Sequence, residues 1–339
     1  MIINFLIIIQ VTYMKDSILY YSVGPLLYCP ANHKSLANSL IHERFGRHFS
    51  LAVCLEDTIQ DDRIAEAEHE LVQTIHTLFN EKKKHLFFLP KIFIRVRSPQ
   101  QIPDLMERFG DAGVLITGFI IPKFSLENAD SYISEILSVN ERYNRAIYMM
   151  PIFESPSMIH LQHRHQILYT LKEKLDAIEP LVLNIRVGGN DLCHVFGFRR
   201  HVTQSIHDIR PISDIFSDII TVFGMDYVIS GPVWEYYNGS GWDRGLKAEL
   251  AQDRLCGFTG KTVIHPNQIP LVNDAYRVSK EDYEDAKAIL HWEETAPSLV
   301  HGNVKKARMN ECKTHSNWAM QILMLAEAFG VVDSESSAL

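Results

Sequence analysis

The chain has 339 residues, of which 46% are hydrophobic and 22% charged, and its formal net charge is −8. A negative balance argues against the proteins that bind nucleic acid through a basic face, and it is ordinary for a cytoplasmic enzyme. Five cysteines without a C-x-x-C pair argue against a disulfide framework or a zinc ribbon. The length suits two domains or a single α/β barrel.

The apolar N-terminus raises the question of a targeting or membrane segment. It lacks a basic region and a small-residue cleavage motif, and about ten apolar residues are too few to span a bilayer. We interpret residues 1–19 as an N-terminal extension, with Met14 as the natural start, and a targeting segment is the alternative. No other stretch is apolar enough to cross a membrane, so no membrane partner is expected.

Eight short β-rich segments occur in chain order, and a helical pattern follows each of them. Several are near-continuous apolar runs, which are typical of parallel strands covered on both faces. Amphipathic segments at 63–79, 101–110, 128–139 and 157–178 lie between them. The predicted strands are 26–31, 51–57, 91–98, 118–124, 146–155, 182–191, 227–236 and 260–269.

This alternation predicts an α/β fold, a (β/α)8 TIM barrel over residues 20–275. A doubly wound open sheet is the alternative, but it usually has a glycine-rich turn after its first strand, and PANHKS is not one. Residues 276–339 are predicted to form a C-terminal helical extension or lid. Its helices are predicted at 279–292, with Ser279 as N-cap, and at 316–329.

The candidate site residues are the polar residues at the carboxyl ends of the predicted strands, where the active sites of such barrels lie. A single polar strand end has a simple explanation, since a loop follows it. Here, however, many polar residues crowd one rim above apolar strand interiors. These residues include Glu56, Asp57, Arg95, Arg97, Lys123, Glu154, Gly188, Gly189, Asp191 and His265.

Two carboxylates among them form a candidate metal site. Glu154 and Asp191 end neighbouring strands, so their carboxylates can converge, and two such ligands completed by water and substrate are typical of Mg2+. The alternative is a structural ion network with Arg95 or Lys123. Lys123 could also form a Schiff base, but we favour a role as a charge partner.

Other rim residues also have two interpretations. Arg95 is suited to clamp a substrate carboxylate in bidentate geometry, or it pairs with Glu56 or Asp57. Gly188 and Gly189 allow the backbone to approach a ligand closely, or they form a plain strand-to-helix turn.

Six segments along the chain carry a resemblance to a known superfamily. They are LAVCLEDTI, FIRVRS, GFIIPK, PIFESP, RVGGNDLCHVFGFRR and GKTVIHPNQI. In this order they resemble the motifs of the citrate lyase beta-subunit and HpcH/HpaI aldolase superfamily. The resemblance is strongest to its branch of C–C bond lyase-like TIM-barrel proteins from tellurite-resistance and stress-response operons, and it covers about residues 20–320.

The resemblance implies a reaction, a cofactor and roles for the rim residues. Glu154 and Asp191 would hold Mg2+, or Mn2+, and Arg95 would bind the substrate, with Glu56 and Asp57 ordering water and this arginine behind the metal. Arg95, Glu56 and Asp57 are thus the implied catalytic residues. The enzyme would cleave or form a carbon–carbon bond in a small oxo or hydroxy acid through a metal-stabilised enolate. Relatives often use a coenzyme A thioester and assemble as homo-oligomeric trimers or hexamers.

Departures from the superfamily pattern leave the substrate and the use of coenzyme A open. Arg97 replaces an asparagine and implies a more cationic pocket that takes a second carboxylate or a phosphate. The predicted substrate-binding residues are Arg95, Arg97, Lys123, Gly188 and Gly189.

Three functions follow from these observations. The first is a Mg2+-dependent carbon–carbon bond lyase or synthase. The second is a stress-operon biosynthetic enzyme for a phosphorylated sugar-like or nucleoside-like intermediate, with Arg97, Arg199 and Arg200 as anion-binding candidates. The third is a non-catalytic scaffold, against which the retention of both metal carboxylates with Arg95 argues.

Overall fold

The computed structural model describes residues 15, 17–292 and 298–333, and the chain divides into two compact units. The barrel unit is Val23–Ala275, and the terminal unit combines Met1–Ser22 with Tyr276–Leu339. Most of the predicted extension at 1–19 lies outside the described residues, so its interpretation stays a prediction.

Eight parallel strands form one closed sheet in the barrel unit. They are β1 (Pro25–Pro30), β2 (Ser50–Cys54), β3 (Lys91–Arg95), β4 (Ile116–Ile121), β5 (Tyr148–Phe153), β6 (Ile185–Val187), β7 (Ile229–Ser230) and β8 (Lys261–Val263). Their order in the sheet is β7-β6-β5-β4-β3-β2-β1-β8, and a parallel bridge from Gly231 to Lys261 joins the two outer strands. The predicted (β/α)8 TIM barrel is therefore confirmed.

Helices follow the strands and cover the outside of the barrel. They are α2 (Leu36–Ile41), α3 (Ile64–Lys84), α4 (Gln101–Phe109), α5 (Ala129–Tyr143), α6 (Leu161–Asp176), α7 (Gly189–Phe196), α8 (Arg210–Phe223), α9 (Trp242–Leu255) and α10 (Gln268–Tyr276). The four predicted amphipathic segments correspond to α3, α4, α5 and α6. In α8 the buried residues Ile212, Ile215, Phe216 and Ile219 recur at helical spacing, which places one apolar stripe against the strands.

The later strands are shorter than predicted, and the difference enlarges the loops at the barrel mouth. The segment 182–191 contributes only three residues to β6, because the chain turns into α7 at Gly188. The segment 227–236 contributes only two residues to β7, and Pro232, which has no amide hydrogen, follows closely. The polar residues of both segments thus lie in loops or helix starts.

A fully buried ionic cluster joins α9 to β8. The Lys261 ammonium lies 2.9 Å from Glu249 Oε1 and 2.6 Å from Asp253 Oδ2, and all three side chains have no solvent exposure. Glu249 also pairs with Arg200, and Asp253 accepts from the His207 ring at 2.8 Å. Burial raises the pKa of Asp253, but Lys261 and His207 outweigh this effect and hold the pKa below its usual value.

The described part of the terminal unit contains three helices and four short strands. Its elements are α1 (Ile18–Tyr21), β9 (Val278–Ser279), α11 (Lys280–Leu290), β10 (Val300–Gly302), β11 (Met309–Glu311), α12 (Ser316–Phe329) and β12 (Val331–Val332). The two predicted helices are confirmed as α11 and α12, and Ser279 accepts from the Asp282 amide as the N-cap. Helix α11 packs against α12, and β12 pairs with β9. A role as a lid stays a prediction.

None of the helices in the described part of the chain is both long and apolar enough to cross a bilayer.

Candidate active site

A cavity of about 420 Å3 lies at the carboxyl ends of the barrel strands. Its wall contains residues from β1, β3, β5, β6 and β8 and from the start of α7, as expected for a barrel of this type. The polar residues that determine its chemistry are Tyr28, Arg95, Glu154, Arg186, Asp191, Arg199, Glu235 and Thr262.

Glu154, directly after β5, is the most deeply buried carboxylate of the cavity, with 4% of its surface exposed. Its Oε1 accepts hydrogen bonds from Arg95 Nη2 at 3.2 Å and from the Lys123 amide at 3.1 Å. Burial raises the pKa of Glu154 to about 8; Arg95 opposes the rise, and the negative charge of Asp191 adds to it. Asp191 lines the same cavity, and the role of the two carboxylates as metal ligands stays a prediction.

Asp191 reaches the cavity from the first turn of α7, and two glycines permit this approach. A Cβ on Gly188 would lie 2.1 Å from Glu154 Oε2 and 2.3 Å from Glu154 Cβ, while one on Gly189 would lie 2.3 Å from Ile206 Cδ1. Glycine at position 188 therefore lets α7 begin directly against Glu154, and glycine at 189 lets it pack against Ile206. Both glycines line the cavity, but the close neighbour of Gly188 is the Glu154 side chain.

Arg95, the last residue of β3, joins three carboxylates. Its Nη2 lies 2.7 Å from Glu56 Oε2, 3.0 Å from Asp57 Oδ2 and 3.2 Å from Glu154 Oε1. Its buried Nε has no hydrogen-bond partner among the described residues. The structural interpretation of Arg95 as an ion-pair partner therefore applies, and its Nε is a donor that a ligand can use.

Lys123 completes this network from the end of β4. Its ammonium lies 2.6 Å from Glu56 Oε1 and 3.1 Å from Asp57 Oδ1. Burial lowers the pKa of Lys123, but its hydrogen bonds to Glu56 and Asp57 outweigh burial and raise the pKa. Because a Schiff-base lysine needs a neutral amine, this geometry favours the charge-partner interpretation.

The pKa values of the adjacent acids Glu56 and Asp57 are shifted in opposite directions. Burial and a shared hydrogen bond with Asp57 raise the pKa of Glu56. Burial also raises the pKa of Asp57, but Glu56, Arg95 and Lys123 together lower it below its usual value. One acid of the pair thus holds its proton more tightly than the other.

Arg97 binds the loop between β2 and α3. Its Nε donates to the Leu55 carbonyl at 2.7 Å, its Nη1 pairs with Asp61 at 2.5 Å, and its Nη2 donates to the carbonyls of Glu56 and Ile59. Arg97 is not among the residues that line the cavity, and its role in substrate binding stays a prediction.

Of the two arginines after α7 that are candidates for binding an anion, Arg199 lines the cavity and Arg200 does not. Arg200 is buried, pairs with Glu249 at 3.1 Å and donates to the Val233 carbonyl. Arg199 does reach the cavity, where it is highly exposed and pairs with Glu235 at 3.3 Å.

Four polar residues of the cavity wall were not predicted from sequence: Tyr28, Arg186, Glu235 and Thr262. Arg186 is 1% exposed and lies between Ile185 and Val187, which are also buried. A lone charged residue inside an otherwise apolar strand is the signal that identifies such a residue. Burial raises the pKa of the Tyr28 hydroxyl to about 12, although Arg95 and Arg186 lower it in part.

A comparison with protein families agrees with this architecture. The model of a family described as "C-C_Bond_Lyase of the TIM-Barrel fold" matches residues 17–331. The chain belongs to this C–C bond lyase family. It is thus an enzyme of the C–C bond lyase type, and the predicted family and reaction class are confirmed.

Individual relatives of this C–C bond lyase are distant in sequence. The L-malyl-CoA/beta-methylmalyl-CoA lyase of Cereibacter sphaeroides is 21% identical over 75% of this chain and 80% of that protein. A citrate lyase structure from Burkholderia xenovorans superposes with a TM-score of 0.67 at 15% identity, over 93% of this chain and 95% of the other. CitE from Mycobacterium tuberculosis, in complex with magnesium, acetoacetate and coenzyme A, gives 0.57 at 16% identity, over 92% and 99%. These structures share the fold.

Proposed function

We propose that this C–C bond lyase is a Mg2+-dependent enzyme that cleaves, or in reverse forms, a carbon–carbon bond in a small oxo or hydroxy acid carried as a coenzyme A thioester. The observation that carries the proposal is that two carboxylates, Glu154 and Asp191, line one cavity at the mouth of the barrel beside Arg95. The ligands named for CitE and the substrates named for the malyl-CoA lyase support this choice.

The side chains at the mouth fit a hard divalent cation. The described residues contain no cluster of three or more histidine, cysteine, aspartate or glutamate ligands. With Glu154 and Asp191 as its two protein ligands, an octahedral cation would have positions left for water and substrate. Carboxylate oxygens suit Mg2+ or Mn2+, whereas zinc sites usually use histidine and cysteine.

The remaining residues would bind and orient the substrate. The bound cation would polarise the oxo or thioester oxygen and stabilise the negative charge that develops there as the bond breaks. Arg95 would donate from its unpartnered Nε to a substrate carboxylate, while Glu56 and Asp57 hold its other end in place. Lys123 would fix both acids and, through its amide, the orientation of Glu154.

The phosphorylated-substrate hypothesis has less support, because Arg97 and Arg200 are engaged in structural contacts. The predicted trimer or hexamer and the cytoplasmic location stay predictions.

An assay of bond cleavage tests the proposal. Chelator-stripped protein is incubated with malyl-CoA or β-methylmalyl-CoA, and the released oxo acid is trapped with phenylhydrazine and measured by absorbance. We expect release on addition of Mg2+ or Mn2+ and none with excess EDTA. The reverse reaction, acetyl-CoA or propionyl-CoA with glyoxylate or pyruvate, is followed by mass spectrometry. No metal-dependent reaction in either direction would overturn the proposal.

A further inference from the structure

Arg186 is a charged residue in the interior of the barrel. It is the central residue of β6 and pairs in register with Ile152 of β5 and Ser230 of β7. Its side chain reaches across the barrel to Thr262 of β8, and both residues line the cavity together with Tyr28 of β1.

Arg186 differs from the other buried arginines of the barrel unit, which is described in full. Arg95, Arg164 and Arg200 each pair with at least one carboxylate, at 3.2 Å or closer. No carboxylate of the described residues lies within ion-pair distance of Arg186. A guanidinium keeps its charge at physiological pH, so a buried positive charge faces the cavity without a counterion.

The hydrogen bonds of Arg186 also leave donors for a ligand. Its Nη2 donates to Thr262 Oγ1 at 2.6 Å and its Nη1 to Asn184 Oδ1 at 3.3 Å. Its Nε is buried without a hydrogen-bond partner, as is the Ser230 hydroxyl in the same layer of the barrel. Buried polar groups of this kind normally have partners, so their absence here points to a bound group.

We propose that Arg186, with Tyr28 and Thr262, forms a second anion-binding site in the cavity, which takes a second anionic group of the substrate, a carboxylate or a phosphate. The other end of the substrate lies at Glu154 and Asp191. This placement rests on the proposed function. The substrate is then an oxo or hydroxy acid with two anionic groups. A substrate with only one anionic group would leave the charge of Arg186 without a counterion.

The test compares three oxo acids that differ only at the third carbon. Pyruvate has hydrogen there, oxaloacetate a carboxylate and 3-phosphonopyruvate a phosphonate. Isothermal titration with Mg2+ present gives the Kd of each for the wild type, Arg186→Met, Arg186→Lys and a control, Arg145→Met. Arg145 precedes β5 and donates to the carbonyls of Gly113 and Ile116, at the end of the strands opposite the cavity.

In the wild type and in Arg145→Met, we expect the second anionic group to tighten binding about tenfold or more, as charge-assisted hydrogen bonds do. In Arg186→Met this advantage falls to about twofold or less, while the Kd of pyruvate is unchanged, and Arg186→Lys retains part of it. The tighter of the two diacids shows whether the second group is a carboxylate or a phosphate.

Thermal unfolding separates this role from a structural one. Because a buried charge without a counterion is costly, Arg186→Met is expected to have a Tm equal to or above that of the wild type. A lower Tm, a failure to fold, or an unchanged preference for diacids in Arg186→Met would overturn the proposal. So would a wild type that binds all three acids equally.

The same titrations in EDTA separate this inference from the proposed function. If the diacids bind more tightly than pyruvate in an Arg186-dependent way, but the protein has no metal-dependent turnover, the anion site is supported and the lyase mechanism is excluded. Metal-dependent turnover without tighter binding of the diacids supports the lyase function and excludes the anion site.

Discussion

Replacing Glu154 by glutamine is expected to lower kcat by about a thousandfold or more, because a Lewis-acid metal contributes several kcal/mol and each ~1.4 kcal/mol is tenfold in rate. Glutamine has the shape of glutamate but removes one of the two negative ligands. The Glu154 side chain is almost fully buried, so its conservative replacement keeps the packing against Gly188. The amide oxygen can still accept from the Lys123 amide.

The assay of malyl-CoA cleavage with saturating Mg2+ measures this loss, and thermal unfolding shows whether the variant is folded. Glu141→Gln is the matched control, because Glu141 is an exposed residue of α5. We expect Glu141→Gln to keep wild-type activity. A Glu154→Gln variant that is folded and retains more than about a tenth of the wild-type kcat, which corresponds to less than ~1.4 kcal/mol, would exclude Glu154 as a metal ligand.

Replacing Lys261 by methionine is expected to lower the free energy of unfolding by about 3–5 kcal/mol, the usual cost of removing one partner from a buried ion pair. The Lys261 ammonium is the group that lies between the Glu249 and Asp253 carboxylates, and none of the three is exposed. Methionine fills a similar volume but leaves both acids without this charge. Arg200 and His207 compensate only in part, from the far side of each acid.

Urea unfolding followed by circular dichroism measures this change. Lys174→Met is the matched control, because the same substitution there removes an ion pair with Asp130 in which the acid is mostly exposed. We expect the control to lose about 1 kcal/mol or less. Equal losses in the two variants would show that the buried cluster does not stabilise the barrel in solution.

The barrel could be predicted from sequence because its strands are buried on both faces. Parallel strands such as β3 and β4 have apolar, buried runs, 92–94 and 118–121, so their positions are visible without any knowledge of their neighbours. The ends of β6 and β7 could not be predicted in the same way. Gly188 and Pro232 end the ladders, and whether polar residues after them continue the strand depends on hydrogen bonds that sequence does not show.

The candidate site was predictable only where adjacent strands determine it. Glu154 and Asp191 follow neighbouring strands of the barrel, so strand order directs both to one cavity, and Gly188 lets α7 begin against Glu154. The contacts of Arg97 depend on the path of the loop after β2, whose carbonyls occupy its donors. Arg186 was missed because an apolar strand covered on both faces does not reveal which of its residues point into the barrel.

Titration of chelator-stripped protein with Mg2+ and Mn2+, with and without pyruvate, tests the metal site most directly. We compare the wild type with Asp191→Asn and with Asp104→Asn, a control in which an exposed aspartate is replaced in the first turn of α4. We predict one metal site in the wild type and in Asp104→Asn, tightened by the oxo acid and absent in Asp191→Asn. Metal binding that persists unchanged in Asp191→Asn, or no metal binding by the wild type, would contradict the account.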